Sequence, residues 1–270
     1  MIDIRQSPQY AKYIKKTGWT VERVGDINYF IRKLPLVGAV MKVQRPEEIN
    51  TPKTKELAKK NRVRKVITEP KNEEDAKYLD SCGYKQTSPY LPSKTLHLDL
   101  TNPKPDLLGG MERDTRSAIS ETKKLKPREA KSKKELEKFR AEWRNSVGLK
   151  RHVPSVEKLT NLKDGFGEDA LFLSIGDSGA IFLKTNTIAY YWQAFTGKAG
   201  RESLAQYKIV WEGILWAKTR GVKIFDFEGI YDERFPYKSW KGFTHFKKSF
   251  GGEEIIYPGA FTLNLLPFRK

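Results

Sequence analysis

The same order of predicted strands and helices occurs twice along the chain. In the first half, short apolar and β-branched runs predict a β-meander, a lysine-rich helix and a further strand, at 19–24, 27–33, 36–43, 51–61 and 63–68. In the second half the same order recurs, with three strands, a helix and a strand at 170–175, 180–185, 188–194, 203–220 and 223–227. This order predicts duplicated α/β modules, although no residue-level repeat relates the halves.

The length agrees with two modules. At roughly 100–200 residues per domain, 270 residues allow one large domain or two modest ones. Hydrophobic residues make up 38% and aromatic residues 12%, which is enough to bury a core. We therefore predict an α+β fold. The lysine-rich region 126–134 is the best boundary, which gives domains at 1–130 and 131–270.

Positive charge is distributed over both halves. Lys and Arg number 51 against 33 Asp and Glu, a net charge of +18, of which +10 falls in 1–130 and +8 in 131–270. Such a charge favours polyanionic partners: nucleic acid, nucleotide-linked substrates or an anionic membrane surface. The alternative is a basic protein whose lysines only keep it dispersed.

Several kinds of site are excluded by motif. Cys82 is the single cysteine, so an internal disulfide and a multi-cysteine metal site are both excluded. The three histidines form no HExxH motif, and neither a GxSxG nor a GxxxxGK[ST] motif occurs. We therefore expect no metal and no cofactor. No apolar run reaches the roughly 18–20 residues that span a bilayer, and the first residues lack an apolar signal core, so we expect a cytoplasmic location.

Two polar features follow strands of the second half. The turn of Gly197, Lys198, Gly200 and Arg201 precedes a helix, and amide groups and cations at such a turn suit a phosphate or another anion. An ordinary strand-to-helix turn is the alternative. Strand alternation places Asp226 and Glu228 on one face, where they serve either as polar site residues or structurally.

Longer segments carry a family resemblance. The sequences AKTRG at 217–221, KIFDFEGI at 223–230 and GFTHFKKSFGGEEIIYPGAFTLNL at 242–265 resemble, in this order, the C-terminal domain of the Fem-type (FemABX) aminoacyltransferases. QSPQYAKYIKKTGW at 6–19 resembles the family's N-terminal segment, and KTLHLDL followed by MERDTRSAISETKK, at 94–100 and 111–124, resembles its strand and helix. The resemblance is collinear over nearly the whole chain.

The resemblance implies two acetyltransferase-like (GNAT) domains and a reaction. Fem-type enzymes move an amino acid from aminoacyl-tRNA to an amino group on the stem peptide of a peptidoglycan precursor. The implied partners are aminoacyl-tRNA and a nucleotide- or lipid-linked precursor, with peripheral contact at the inner membrane surface; the oligomeric state is left open. Longer members carry a helical hairpin arm for which 270 residues leave no room, so the chain resembles the compact members.

An aminoacyl ester is already activated, so this chemistry needs positioning and oxyanion stabilisation rather than a cofactor. Two alternatives stay open: an acetyl-CoA-dependent N-acyltransferase on the same fold, and a catalytically inactive RNA-binding module. The GKAG sequence at 197–200 matches the usual acyl-CoA loop of GNAT enzymes only loosely.

Site residues are carried over by the same resemblance. The lysine of the family's FKxxFGG segment falls on Lys247, which would donate to the oxyanion of the aminoacyl ester. The phosphate-binding arginine falls on Arg151, with Lys150 one residue away. Further candidates are an N-terminal phosphate-binding lysine and two aromatic residues for the acceptor cleft, with core packing the alternative for the aromatics: Lys12 or Lys16, Tyr191 and Tyr207.

Overall fold

The computed structural model describes residues 2–35, 38–148 and 151–265. The strands, in chain order, are β1 (Thr20–Val24), β2 (Ile27–Leu34), β3 (Gly38–Gln44), β4 (Val63–Glu69), β5 (Lys85–Thr87), β6 (Lys94–Asp99), β7 (Arg128–Glu129), β8 (Ala170–Ile175), β9 (Ser178–Lys184), β10 (Ile188–Thr196), β11 (Ile224–Asp226), β12 (Glu253–Ile256) and β13 (Ala260–Asn264). The α-helices are α1 (Pro8–Lys15), α2 (Thr51–Lys60), α3 (Glu73–Ser81), α4 (Lys104–Gly109), α5 (Arg113–Glu121), α6 (Lys133–Val147), α7 (Val156–Phe166), α8 (Lys198–Glu202), α9 (Ala205–Thr219) and α10 (Lys241–Lys248).

These elements form two compact units. Unit 1 takes its described residues from 1–94, 232–236 and 256–270, and unit 2 from 95–231 and 237–255. Each unit has one mixed sheet with helices, which confirms the predicted α+β fold class. The predicted meanders are also confirmed as β1–β3 and β8–β10, apart from residues 36 and 37, which lie outside the described residues.

In unit 1 the sheet has the strand order β1-β2-β3-β4-β13-β5. Strands β3 and β4 run parallel because α2 connects them, and the other pairs are antiparallel. Asparagine side chains begin the helices: Asn50 accepts from the amide of Lys53 at 2.9 Å for α2, and Asn72 accepts from the amide of Asp75 at 2.8 Å for α3. One face of α2 and α3 packs on the sheet through buried Leu57 and Leu79.

In unit 2 the strand order is β12-β6-β11-β10-β9-β8-β7. Helix α9 connects β10 to the parallel strand β11 and is buried along its length, with Ile209, Val210 and Ile214 fully inaccessible to solvent. Gly213 lets α9 approach the sheet closely, since a Cβ there would lie 2.3 Å from the ring of Phe182. The helix is thereby fixed against the strands that flank it.

The units do not divide at the predicted boundary between residues 130 and 131. Strand β6 comes from the first half of the chain but pairs with β11 in the sheet of unit 2. Strand β13 comes from the second half but lies between β4 and β5 in the sheet of unit 1. Each half therefore supplies a strand to the other sheet, and residues 95–130 belong to unit 2. Among the described residues, no helix is both long and apolar enough to cross a membrane.

Candidate functional site

Unit 2 contains a cavity of about 720 Å³. Its wall includes the end of β10 from Tyr191 to Thr196, the region from α8 to the start of α9, and the inner side of α10. Trp143 on α6 and Glu228, beyond the end of β11, complete it together with Arg151 and His152. Aromatic rings and a few cationic groups thus surround one space.

Lys247 lies in this cavity with its ammonium group held by the backbone. The side chain is on α10 and the residue is 8% exposed. Its Nζ donates to the carbonyl oxygens of Gly229 at 2.6 Å and Glu228 at 3.3 Å. Nζ also lies 4.9 Å from the ring centre of Phe243 and 5.7 Å from that of Tyr191. An ammonium has three N–H groups, so one remains to donate to a molecule in the cavity.

Burial lowers the pKa of Lys247 from 10.5 to about 8, while the nearby carboxylates of Glu228 and Asp226 act in the opposite direction. The ammonium form therefore still predominates at pH 7. Its charge is only partly compensated and is buried, so it interacts strongly with a developing negative charge.

The two carbonyl groups belong to a strained turn. Glu228 has φ +51 and Gly229 has φ +101, so neither residue continues the strand. The amide of Glu228 donates to Asp226 Oδ1 at 2.7 Å, and the amide of Gly229 donates to Thr95 Oγ1 at 3.1 Å. Thr95 Oγ1 in turn donates to Asp226 Oδ1 at 2.5 Å. Asp226 and Thr95 together hold the turn that holds Lys247.

The shared face predicted for Asp226 and Glu228 is therefore wrong. Strand β11 ends at Asp226, because Glu228 adopts a positive φ, and strand alternation does not extend to it. Asp226 is 1% exposed and binds protein groups, including His97 Nε2 at 3.1 Å. Burial acts to raise its pKa, but the hydrogen bonds from His97, Thr95 and the Glu228 amide together lower it. Glu228, by contrast, lines the cavity.

The Phe-Gly-Gly segment after α10 meets a requirement of the backbone. Phe250 is fully buried, with its ring centre 5.8 Å from those of both Tyr207 and Phe227. Gly251 and Gly252 have φ +79 and +98, and a Cβ at either would lie 2.7 Å from a carbonyl oxygen, that of Gly110 or that of His97. Side chains do not fit there, so the two glycines fix where α10 ends.

The predicted anion site in the turn before α9 already holds an anion of the chain itself. The amides of Ala199 and Gly200 donate to the carboxylate of Asp177 at 3.2 and 2.6 Å. A Cβ on Gly197 would lie 2.0 Å from Asp177 Oδ2, and one on Gly200 would lie 1.8 Å from Ser178 Oγ. The glycines thus allow this turn to pack on the β8–β9 connection, and the amides are not available to a ligand.

The two cations of that turn differ in position. Lys198 is 87% exposed, lies 3.9 Å from Glu202 and does not line the cavity. Arg201 lines the cavity together with Gly200 and donates to the carbonyl of Thr196 at 2.9 Å. Of the predicted turn, only the side of Arg201 and Gly200 contributes to the cavity wall.

Arg151 lines the same cavity as Lys247, whereas Lys150 lies outside the described residues. Trp143, on α6, also lines the cavity. Its ring stacks on Phe195 with centres 5.4 Å apart, and its buried Nε1 has no hydrogen-bond partner among the described residues. Arg151 and Trp143 therefore line the same cavity as Lys247, while the indole N–H of Trp143 is itself buried.

Tyr191 and Tyr207 line the cavity and also pack in the core. The hydroxyl of Tyr191 accepts from Gln206 Nε2 at 2.6 Å, and burial raises its pKa. Tyr207 is half-buried against Phe246, with ring centres 5.0 Å apart, and burial also raises its pKa. Neither hydroxyl is poised to lose a proton near neutral pH.

Lys12 and Lys16 are in unit 1, on α1 and at its C-terminal cap, and do not line the cavity of unit 2. Within 2–35, 38–148 and 151–265, no group of three or more His, Cys, Asp or Glu side chains is arranged to hold a metal ion.

Comparisons with known proteins agree on the fold. The model of the FemAB family matches residues 106–269. No curated protein matches the sequence. A crystal structure of FemX aligns with a TM-score of 0.82 at 15% identity, covering 97% of this chain and 92% of that chain. The structure of L-PGS from Bacillus licheniformis aligns with a TM-score of 0.65 at 11% identity, covering 98% and 88%.

A tandem GNAT protein from the clavulanic acid biosynthesis pathway aligns with a TM-score of 0.57 at 11% identity, covering 93% of this chain and 85% of that chain. At these identities the similarity establishes the fold alone. The predicted architecture of two GNAT-like units in one chain is thus confirmed.

Proposed function

The chain belongs to the FemAB family, and from this premise we propose that it is a peptidoglycan aminoacyltransferase. Its donor would be aminoacyl-tRNA, and its acceptor an amino group on the stem peptide of a nucleotide- or lipid-linked precursor. A cytoplasmic location and peripheral contact with the inner membrane surface are part of this proposal.

One observation carries the proposal: the buried ammonium group of Lys247 lines a cavity large enough for a substrate. Two backbone carbonyls hold Lys247 Nζ and leave one N–H to donate. An activated ester needs such a donor, because its carbonyl oxygen becomes negative when an amine attacks. The donor is already desolvated and oriented, so little reorganisation is needed in the transition state.

The atoms balance without a cofactor. The neutral amine of the acceptor attacks the ester carbon, and a C–N bond forms while charge develops on the oxygen near Lys247. When this intermediate collapses, the C–O bond breaks, the ribose oxygen of the tRNA leaves and takes up a proton, and the former amine loses one. The protein contributes positioning and the fixed positive charge.

The other donors of the cavity suit an anionic substrate. Arg151 and Arg201 line the same cavity as Lys247, and a guanidinium binds phosphate oxygens in pairs. The net charge of +18 favours the approach of a tRNA and of a precursor that carries pyrophosphate. Arg151 is the residue that we propose for the precursor phosphate. Lys12 and Lys16 stay candidates for a second phosphate contact.

The two rival functions have less support. An acetyl-CoA-dependent enzyme would use free amides at the turn before α9 for pyrophosphate, but those of Ala199 and Gly200 bind Asp177. An inactive RNA-binding module gives no reason for the buried, backbone-held ammonium of Lys247, since burying a charge costs free energy.

Product mass tests the proposed function. The protein is incubated with a pool of aminoacyl-tRNAs and with both the nucleotide-linked and the lipid-linked precursor, and a parallel reaction contains acetyl-CoA instead of tRNA. The proposal predicts a precursor heavier by one aminoacyl residue, only when charged tRNA is present. An acetylated product, or no product with any charged tRNA while RNA still binds, would contradict it in favour of one of the two rivals.

A further inference from the structure

Three aromatic rings lead from Lys247 toward solvent, and we refer to them as the aromatic ladder: Phe243, Trp240 and Tyr237. The ring centre of Phe243 lies 4.9 Å from Lys247 Nζ. The centres of Phe243 and Trp240 are 5.5 Å apart, and those of Trp240 and Tyr237 are 6.0 Å apart. The rings are tilted by 49° and 31° at these two steps. The ladder therefore begins at the proposed reaction centre and ends outside the cavity.

The two outer rings of the ladder are exposed and Trp240 between them is partly exposed, unlike the neighbouring aromatic cluster. Tyr237 is 53% exposed and Phe243 is 36% exposed, whereas Phe250 is fully buried. Exposed apolar groups of this size that lie side by side mark a surface that binds something, because leaving them in water is unfavourable. Among the described residues, the buried core of unit 2 does not include these three rings.

Cations alternate with the rings. The segment 237–243 reads YKSWKGF, so Lys238 and Lys241 lie between successive rings in the sequence, and both are exposed. Lys241 Nζ lies 4.9 Å from the ring centre of Tyr231. Aromatic rings for stacking with nearby cations for phosphates are the combination that binds single-stranded nucleic acid.

We propose that the aromatic ladder stacks the unpaired nucleotides at the 3′ end of the donor tRNA. This inference rests on the proposed function, because the ester at Lys247 is joined to the last nucleotide and the preceding ones must extend away from it. Lys238 and Lys241 then contact their phosphates. Exposed Trp and Phe rings beside lysines also suit an anionic membrane surface, but the ladder starts 4.9 Å from Lys247 Nζ, where the donor ester would lie, and this favours the donor tRNA.

Two donors, one with and one without these nucleotides, test the ladder. One is a full aminoacyl-tRNA; the other is the same amino acid esterified to adenosine, which lacks the preceding nucleotides. Trp240→Ala should raise KM for the tRNA donor about tenfold or more, the usual effect of losing one stacked base, and should leave kcat and the KM for aminoacyl-adenosine unchanged. Trp240→Phe should retain most of the affinity because it keeps a π-face.

A tyrosine of similar exposure provides the matched control. Tyr78 is 42% exposed on α3 in unit 1, and its hydroxyl contacts Thr51 at 3.1 Å. Tyr78→Ala should leave the KM for both donors unchanged. If Trp240→Ala impairs both donors equally, its role is structural and the proposal is overturned; unchanged kinetics with the tRNA donor would overturn it as well.

Binding measured without catalysis separates this proposal from the proposed function. A short single-stranded RNA ending in ACCA and a vesicle containing anionic lipid are each titrated against wild type and Trp240→Ala. Loss of RNA affinity alone supports the ladder even if no donor is ever turned over, in which case only the aminoacyltransferase proposal fails. Loss of vesicle binding with unchanged RNA affinity would assign the rings to a membrane and overturn the proposal.

Discussion

Removing the charge of Lys247 should change how the stability of the protein depends on pH. Burial lowers the pKa of Lys247 from 10.5 to about 8, a difference that corresponds to about 3 kcal/mol between the two protonation states. Below pH 8 the lysine is protonated in both the folded and the unfolded chain. Between pH 8 and 10.5 the folded chain has lost this proton while the unfolded chain keeps it, so the free energy of unfolding rises with pH.

The comparison with Lys247→Met isolates this effect, because every other titrating group is shared by the two proteins. Urea unfolding is measured for both proteins at a series of pH values from 7 to 10.5, which is the ordinary pKa of a lysine side chain. We expect the stability of wild type relative to Lys247→Met to rise by about 3 kcal/mol across that range. As a control for the loss of one lysine, Lys55→Met removes an exposed lysine of α2 and is measured over the same pH series. A stability difference between wild type and Lys247→Met that does not change with pH would refute the description of Lys247 as a desolvated cation.

Three further predictions follow from the cavity and its supports. The rate at saturating substrate should fall above pH about 8, as Lys247 loses the proton that it donates, and a pH–rate profile without this falling limb would remove that proton from the mechanism. Arg151→Ala should weaken binding of the nucleotide-linked precursor, measured by calorimetry, and leave the affinity for a phosphate-free stem peptide unchanged; equal loss for both would indicate a structural role. Gly200→Ala should lower the free energy of unfolding by about 1–3 kcal/mol, because its Cβ would lie 1.8 Å from Ser178 Oγ, whereas Gly109→Ala, with open space around it, should not destabilise.

Local sequence pattern was sufficient for the elements but not for their assembly. The meanders β1–β3 and β8–β10 could be predicted from short β-branched runs separated by turns. Helix α9 could be predicted from the helical spacing of its apolar residues, which are buried in the structure. The exchange of β6 and β13 between the two sheets could not be predicted from local pattern, since it depends on pairing between strands far apart in the chain. A boundary at residue 130 was the natural prediction from order alone.

The candidate site, too, could be predicted from the sequence only in part. The sequence identified an amide-rich turn at 197–201, but not that the carboxylate of Asp177, some twenty residues earlier, occupies its amides. Strand alternation placed Asp226 and Glu228 on one face, because it could not anticipate the positive φ of Glu228. The unpartnered indole N–H of Trp143 had no sequence signal, because a tryptophan on an amphipathic stripe is usually core.

The role of Lys247 as oxyanion donor is the central claim, and a single-turnover experiment tests it most directly. Aminoacyl-tRNA is bound to the enzyme first, and the reaction is started by adding excess acceptor. The rate of transfer is compared between wild type, Lys247→Ala and Lys247→Arg, and the donor Kd is measured separately for each protein. The account predicts a rate about 100–1000-fold lower for Lys247→Ala at unchanged donor Kd, with poor rescue by arginine because of its different shape. A rate near that of wild type, or a loss confined to donor affinity, would contradict it.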